Sequence, residues 1–382
     1  MTGAGVSTGA PAPQWLALTL RWGPAEIPLQ SNSRPVLSWT RDCFTAELPA
    51  PPGGRAATPA AVVVDDELAR RLADCCGEPV PGTEMPARSG AAEGMLLVRP
   101  VTEVISRRRP VARSWPELVV FGLAPDGDWY AVTTSDPLGP RAGELLGRQL
   151  LERQLREAGA ATLHAAGAVL DGQAVLFAGD SGCGKTTLAA WAAVRLGGYF
   201  LSGDKAAAYV AGGTAVAAGL AQPTRFGEGT LAALLGDDWW QEKLPRPQLN
   251  QMMGLDKSAK VAPGPFKVVL SNAELAALGV RAASAAPLAG LVIVAAGPAG
   301  EGVKVRRVPP GEALALVRPQ LRSSWDLLPF PAGVTAERRF GSGDAGLASV
   351  LERVPVLQAW WRPGRDDPAD VIAAIRDGLG PA

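Results

Sequence analysis

The run Gly179-Asp180-Ser181-Gly182-Cys183-Gly184-Lys185-Thr186-Thr187 holds the densest chemistry in the chain. It fits G-x-x-x-x-G-K-[ST] at every fixed position, directly after the apolar "AVLF" and directly before the apolar "LAAWAAV". Glycines at these places let consecutive backbone N–H groups turn onto phosphate oxygens. The lysine adds a mobile positive charge for the β and γ phosphates, and the hydroxyl that follows it can ligate Mg²⁺. Residues 179 to 187 are therefore expected to bind a nucleoside triphosphate, ATP with Mg²⁺, with Thr186 on the metal. Cys183 reads as a small buried side chain within the loop.

An acid and a histidine accompany the loop. Most ATPases and GTPases carry a Mg-supporting acid after a second apolar strand, yet "LAGLVIVAAGPAG" ends without Asp or Glu. The acid comes from "YFLSGDKAAAYV", where Asp204 follows Lys185 by nineteen residues. A strand there is expected beside the loop strand, so that Asp204 reaches the metal or an acceptor hydroxyl. His164, the one histidine of the chain, stands in the apolar "TLHAAGAVL". It is either a site residue or a core histidine satisfied by backbone. Arg225, Lys257 and Lys260 are candidates to neutralise a transferring phosphate or hold an acidic substrate, against a reading as solvated surface. Arg107 to Arg109 have the same two readings for an acidic peptide. The Trp pairs 239/240 and 360/361 are expected to pack or to cover a cleft.

Two modules are needed to position these groups. Residues 1–14 are small, polar and Pro-containing and read as a disordered tail; residues 15–138 read as a β-rich α+β module that recognises the substrate. Its signals are the alternating "WLALTLRWG", the helical "DDELARRLADCCG" and a hairpin over 117–134 around Pro-Asp-Gly. Residues 139–382 read as an α/β domain, opened by the helix "ELLGRQLLERQLREA" and by two strands around Asp171-Gly172. Alternating strands and helices then imply a mixed sheet flanked by helices.

Composition limits the partners. The 37 basic and 37 acidic residues cancel, which disfavours nucleic acid and anionic membrane surfaces. Four cysteines without C-x-x-C spacing suit a reducing cytoplasm, and no run has the length of a membrane span. Self-association into a homo-oligomer stays compatible with this composition.

Taken in order, "LHAAGAV", the G-D-S-G-x-G-K loop, a helix ending in glycine and the segment around Asp204 resemble the HPr kinase/phosphorylase superfamily. The resemblance spans about residues 140 to 310 and is strongest from 163 to 210. It implies a P-loop kinase core of HPr kinase type, using ATP and Mg²⁺ to phosphorylate a Ser/Thr-type hydroxyl of a peptide or protein. Some members act in bacterial peptide natural-product biosynthesis. It also implies that His164 and Lys185 are catalytic and that Asp204 is the second of two aspartates serving as base and metal partner. The first falls on Gly203, so either Asp204 or His164 takes the proton, or catalysis is weakened. The alternatives are a nucleotide-binding regulatory protein with little catalysis and a small-molecule kinase.

Overall fold

The computed structural model describes residues 15–22, 25–47, 59–75, 84–89, 92–98, 103–108, 118–123, 128–135, 139–227, 230–231, 234, 267–298, 302–322 and 343–380. Alternation of apolar and polar residues generates the first hairpin, β1 (Leu16–Trp22) with β2 (Ala25–Ser31). Its inward residues include Leu20, Trp22, Ile27 and Leu29, all at most 2% exposed. The sheet grows through β3 (Ala60–Val64), β4 (Glu84–Ser89), β5 (Ala92–Val98), β6 (Glu103–Arg108), β7 (Leu118–Leu123) and β8 (Trp129–Thr133), in the order β1-β2-β3-β8-β7-β6-β5-β4. Strand β3 is parallel to both neighbours, because helix α1 (Arg34–Cys43) carries the chain across from β2. The hairpin expected over 117–134 and the helix expected at "DDELARRLADC" are found as β7–β8 and α2 (Asp66–Cys75). Pro-rich surroundings concealed β2, α1 and β3.

Helix α3 (Arg141–Glu157) joins the two halves. Its leucines at 145, 146, 150, 151 and 155 are buried in one cluster with Trp22 and Trp39 on one side and Ala207, Ala218 and Leu220 on the other. Hydrogen bonds cross the same boundary: Trp22 Nε1 donates to the Gly219 carbonyl at 2.7 Å, and Asn272 Nδ2 to the Cys43 carbonyl at 2.8 Å. The helix expected to open the second domain thus lies in a core shared with the first. Helix α3 also carries charged groups that are buried or partly buried. Arg148 Nε lies 3.4 Å from Glu144 Oε1, and Glu152 Oε2 lies 3.7 Å from Lys205 Nζ.

The second sheet is built from β9 (Ala161–Leu163), β10 (Ala165–Leu170), β11 (Gln173–Ala178), β12 (Tyr199–Ser202), β13 (Ala206–Ala211) and β14 (Thr214–Gly219). Strands β15 (Thr224–Gly227) and β16 (Lys267–Leu270) form a separate pair. The sheet is completed by β17 (Ala285–Ala296), β18 (Lys304–Arg307) and β19 (Val356–Trp361). Its path is β12-β10-β11-β17-β14-β13-β9, with β19 also on β17 and β18 on β19. Strand β17 makes this possible. Its first residues run antiparallel to β14, and its later ones run parallel to both β11 and β19, so the sheet curls around it. The expected mixed α/β architecture is present, with α4 (Lys185–Arg195) packing Leu188, Ala189 and Ala192 against Phe177, Val292 and Leu357.

Two local expectations are corrected. The stretch "TLHAAGAVL" is not one strand: β9 pairs with β13, β10 pairs with β11 and β12, and His164 is the residue at which the chain changes partners. Nor does β12 neighbour the loop strand. Strand β10 intervenes, because the tight Asp171-Gly172 turn claims that edge of β11 for a hairpin. Lys257, Lys260, Trp239 and Trp240 lie outside the described residues, as does the tail 1–14. Among the described residues no helix is long and apolar enough to cross a membrane.

Candidate nucleotide and phosphoryl-transfer site

Strand β11 delivers the chain to the loop between antiparallel β10 and parallel β17. Crowding from below explains the loop glycines. A Cβ at Gly179 would lie 2.2 Å from the Val294 carbonyl oxygen, and one at Gly184 would lie 2.2 Å from Trp361 Cζ2. Both also hold positive φ, 139° and 91°, which L side chains rarely adopt. Gly182 differs: its φ is 84°, and a Cβ there would meet nothing within 4 Å, so the outer side of the loop is open. Beneath the loop, the buried Trp361 indole donates to the Cys183 carbonyl at 2.8 Å. This brace from β19 fixes the loop from the side opposite its open face. Of the expected Trp pairs, 361 packs.

Lys185, only 6% exposed, folds back over the loop and donates from Nζ to the carbonyls of Gly179 at 2.8 Å and Asp180 at 2.7 Å. Burial lowers its pKa, against the raising influence of Cys183, Asp204 and Asp180. The Cys183 thiol is pushed up by burial, which keeps it protonated and fits the bland role expected for it. Thr187 shares a hydroxyl hydrogen bond with Thr230 at 2.8 Å. Asp180 and Ser181 are exposed at the loop tip.

Thr186 makes the link to the acid. Its Oγ1 donates to the Gly203 carbonyl at 2.8 Å, one residue before Asp204. The turn carrying Asp204 is tied by Ser202, whose hydroxyl donates to the Lys205 carbonyl and accepts the Asp204 N–H at 3.4 Å. Asp204 stays 56% exposed, with Oδ1 3.2 Å from His164 Nε2. Desolvation raises its carboxyl, but the hydrogen bond and electrostatic attraction of His164, with the charges of Lys205 and Arg148, outweigh it and hold the pKa down at about 2. The carboxylate is ionised at any physiological pH.

The surroundings are dense in charge. Arg148 Nη1 donates to Gln222 Oε1 at 2.6 Å. Burial lowers the Lys205 ammonium while Glu152 opposes the shift. Burial, then Arg141 and Arg148, lowers the Arg225 guanidinium, with Asp204 and Glu144 acting the other way.

Gly203 precedes Asp204 in the turn after β12. A Cβ there would lie 2.3 Å from Thr224 Cγ2, so a threonine methyl from β15 occupies the place of a side chain. Sequence reasoning also missed Arg322. Residues 320–322 pair across 162–164: His164 N–H donates to the Gln320 carbonyl at 2.8 Å, Arg322 N–H to the Thr162 carbonyl at 2.9 Å, and Leu163 bridges Leu321. Arg322 Nη2 then lies 2.8 Å from His164 Nδ1. No local pattern in "VRPQLRSS" announces this.

These residues suit a nucleotide with Mg²⁺. The open face at Gly182, the buried amine at the loop rim, and a hydroxyl tied to the backbone of an ionised carboxylate supply the required donor set. Among the described residues no group of three His, Cys, Asp or Glu side chains is arranged to hold a metal.

No family model matches this sequence, and no curated protein matches it. Among solved structures, the HPr(Ser) kinase/phosphatase from Coxiella burnetii is similar over 56% of this chain and 88% of that chain, with 12% identity and a TM-score of 0.25. At that level the likeness is distant, and the chemistry stands on the residues of the site.

Proposed function

We propose that the chain is an ATP- and Mg²⁺-dependent kinase that transfers the γ-phosphoryl group to a Ser/Thr-type hydroxyl of a peptide or protein. One observation carries the reading: the hydroxyl following the loop lysine is hydrogen-bonded to the Gly203 carbonyl, directly beside the ionised Asp204. Bound ATP with Mg²⁺ supplies the transferable group and offsets the charge of the leaving diphosphate. Loop N–H groups and Lys185 hold phosphate oxygens, the amine exchanging its two loop carbonyls for them. Thr186 and Asp204 would hold the metal. Asp204 also accepts the hydrogen bond of the incoming hydroxyl and takes its proton as the new O–P bond forms and the bridging P–O bond breaks. A carboxylate with a pKa of about 2 is a weak base, yet phosphoryl transfer goes through a loose transition state and asks chiefly for positioning and charge. Arg225 lends positive charge near Asp204. The peptide or protein acceptor rests on the motif resemblance and on the eight-stranded module beside the site.

Gly203, which places no second carboxylate directly beside Asp204, favours a second reading in which the protein binds ATP as a regulator and turns it over slowly. Incubation with γ-labelled ATP and candidate peptides separates the two. Label on a peptide supports the kinase; label only in free phosphate, or none released, supports the regulator.

A further inference from the structure

Histidine 164 presents two nitrogens to two different partners, and one partner has no choice of role. A guanidinium only donates hydrogen bonds. The 2.8 Å contact between Arg322 Nη2 and His164 Nδ1 therefore requires a lone pair on Nδ1. The ring proton then sits on Nε2, which is 3.2 Å from Asp204 Oδ1 and donates to it. Arg322 is itself held in place. Its Nη1 donates to the carbonyls of Pro319 at 3.2 Å and Leu321 at 3.1 Å, and its backbone pairs with Thr162 across the 162–164 segment.

We infer that Arg322 is a positioning residue that fixes His164 as the Nε2–H tautomer, so that His164 serves as a hydrogen-bond donor to Asp204 and leaves the proton-accepting role to that carboxylate. The inference deepens the kinase reading by assigning the roles within its site, and its consequence for transfer rests on that reading. It resolves the choice between Asp204 and His164 as base. An imidazole whose Nδ1 is covered by a guanidinium and whose Nε2 already carries a proton has no lone pair to offer an incoming hydroxyl. A donor directed at one carboxylate oxygen instead fixes the rotamer of Asp204 and leaves its remaining lone pairs for the metal and the incoming hydroxyl.

The tautomer is directly readable because the chain has one histidine. Two-bond ¹H–¹⁵N correlation spectra of the full-length protein at neutral pH should show the Nε2–H pattern, and Arg322→Met should convert it to a mixture. An Nδ1–H or imidazolium pattern in the unsubstituted protein would overturn the inference, whatever the outcome of any kinase assay. Kinetics give the second readout, with γ-labelled ATP and a peptide that accepts label. Glutamine places an amide N–H close to the Nε2 position, so His164→Gln should keep kcat within a few-fold while His164→Ala loses about tenfold, the scale of losing a ligand-orienting partner. Arg322→Met should lower kcat by about tenfold with KM for ATP unchanged, and Arg322→Lys, which still donates, should recover most of it. In the His164→Ala background Arg322→Met should cost nothing further, because no ring remains whose tautomer could be fixed. An equal loss in both backgrounds, or a rise in KM for ATP, would assign Arg322 to another role and refute the inference.

Discussion

Replacing Gly203 by alanine is the most exposing perturbation of the site. The added Cβ would lie 2.3 Å from Thr224 Cγ2, about 1 Å short of an ordinary contact, so one side must yield. Thr224 cannot yield easily: it is 5% exposed and paired in β15 with the fully buried Leu270. Moving Gly203 instead disturbs the carbonyl that accepts the Thr186 hydroxyl. Overpacking at a buried contact costs about 1–3 kcal/mol. Gly203→Ala should therefore unfold at lower urea, with the midpoint displaced by that energy, and should transfer phosphoryl more slowly. Thr224→Ser deletes the offending methyl and leaves contacts of 3.2 and 3.3 Å, so the double variant should recover most of the stability. The same logic governs Gly203→Asp, which would place a second carboxylate beside Asp204. Alone it should lower activity, and combined with Thr224→Ser it should exceed the single variant. Chemical denaturation and label transfer on the four variants test this. Gly203→Ala as stable and as active as the unsubstituted protein would refute the packing argument.

Four further outcomes are expected. Lys185→Ala should lose most of the thermal stabilisation given by ATP, which amounts to about 2.7 kcal/mol at one hundred times the dissociation constant; an unchanged shift would refute phosphate binding by the loop. Asp204→Asn keeps size and hydrogen bonding but removes the charge, so transfer should fall by about a hundredfold or more in label assays. Trp361→Phe retains the ring under Gly184 but removes the 2.8 Å bond to the Cys183 carbonyl, and calorimetric ATP affinity should fall by about tenfold, near the net value of one such bond. Expression of residues 139–382 alone would expose the leucines of α3 that share a core with Trp22 and Trp39, so the fragment should aggregate or unfold without cooperativity; a soluble fragment that binds ATP would separate the modules.

The glycine-rich loop between a strand and a helix was legible in the sequence because its signals are contiguous: nine consecutive residues lie between an apolar strand and an apolar helix. Asp204 was legible for a related reason. It follows the loop helix closely, so one short strand returns it to the same end of the sheet, although that strand lies beyond β10 and not against β11. The Pro-Asp-Gly turn between apolar runs also located β7 and β8, and helical patterning located α2 and α3, since both signals are local. What the tertiary structure alone decided depends on contacts between distant segments. Arg322 meets His164 across 158 residues and the Trp361 indole meets the Cys183 carbonyl across 178, and neither pair leaves a mark on its neighbours in sequence. The same holds for the empty side-chain position at Gly203, which a threonine methyl twenty-one residues later fills, and for α3, whose leucines seal one core from two sheets. A residue's type sets the chemistry available to it. Which nitrogen of His164 holds the proton, and which carboxylate stands beside the loop, follows only when the chain has brought their partners within hydrogen-bond reach.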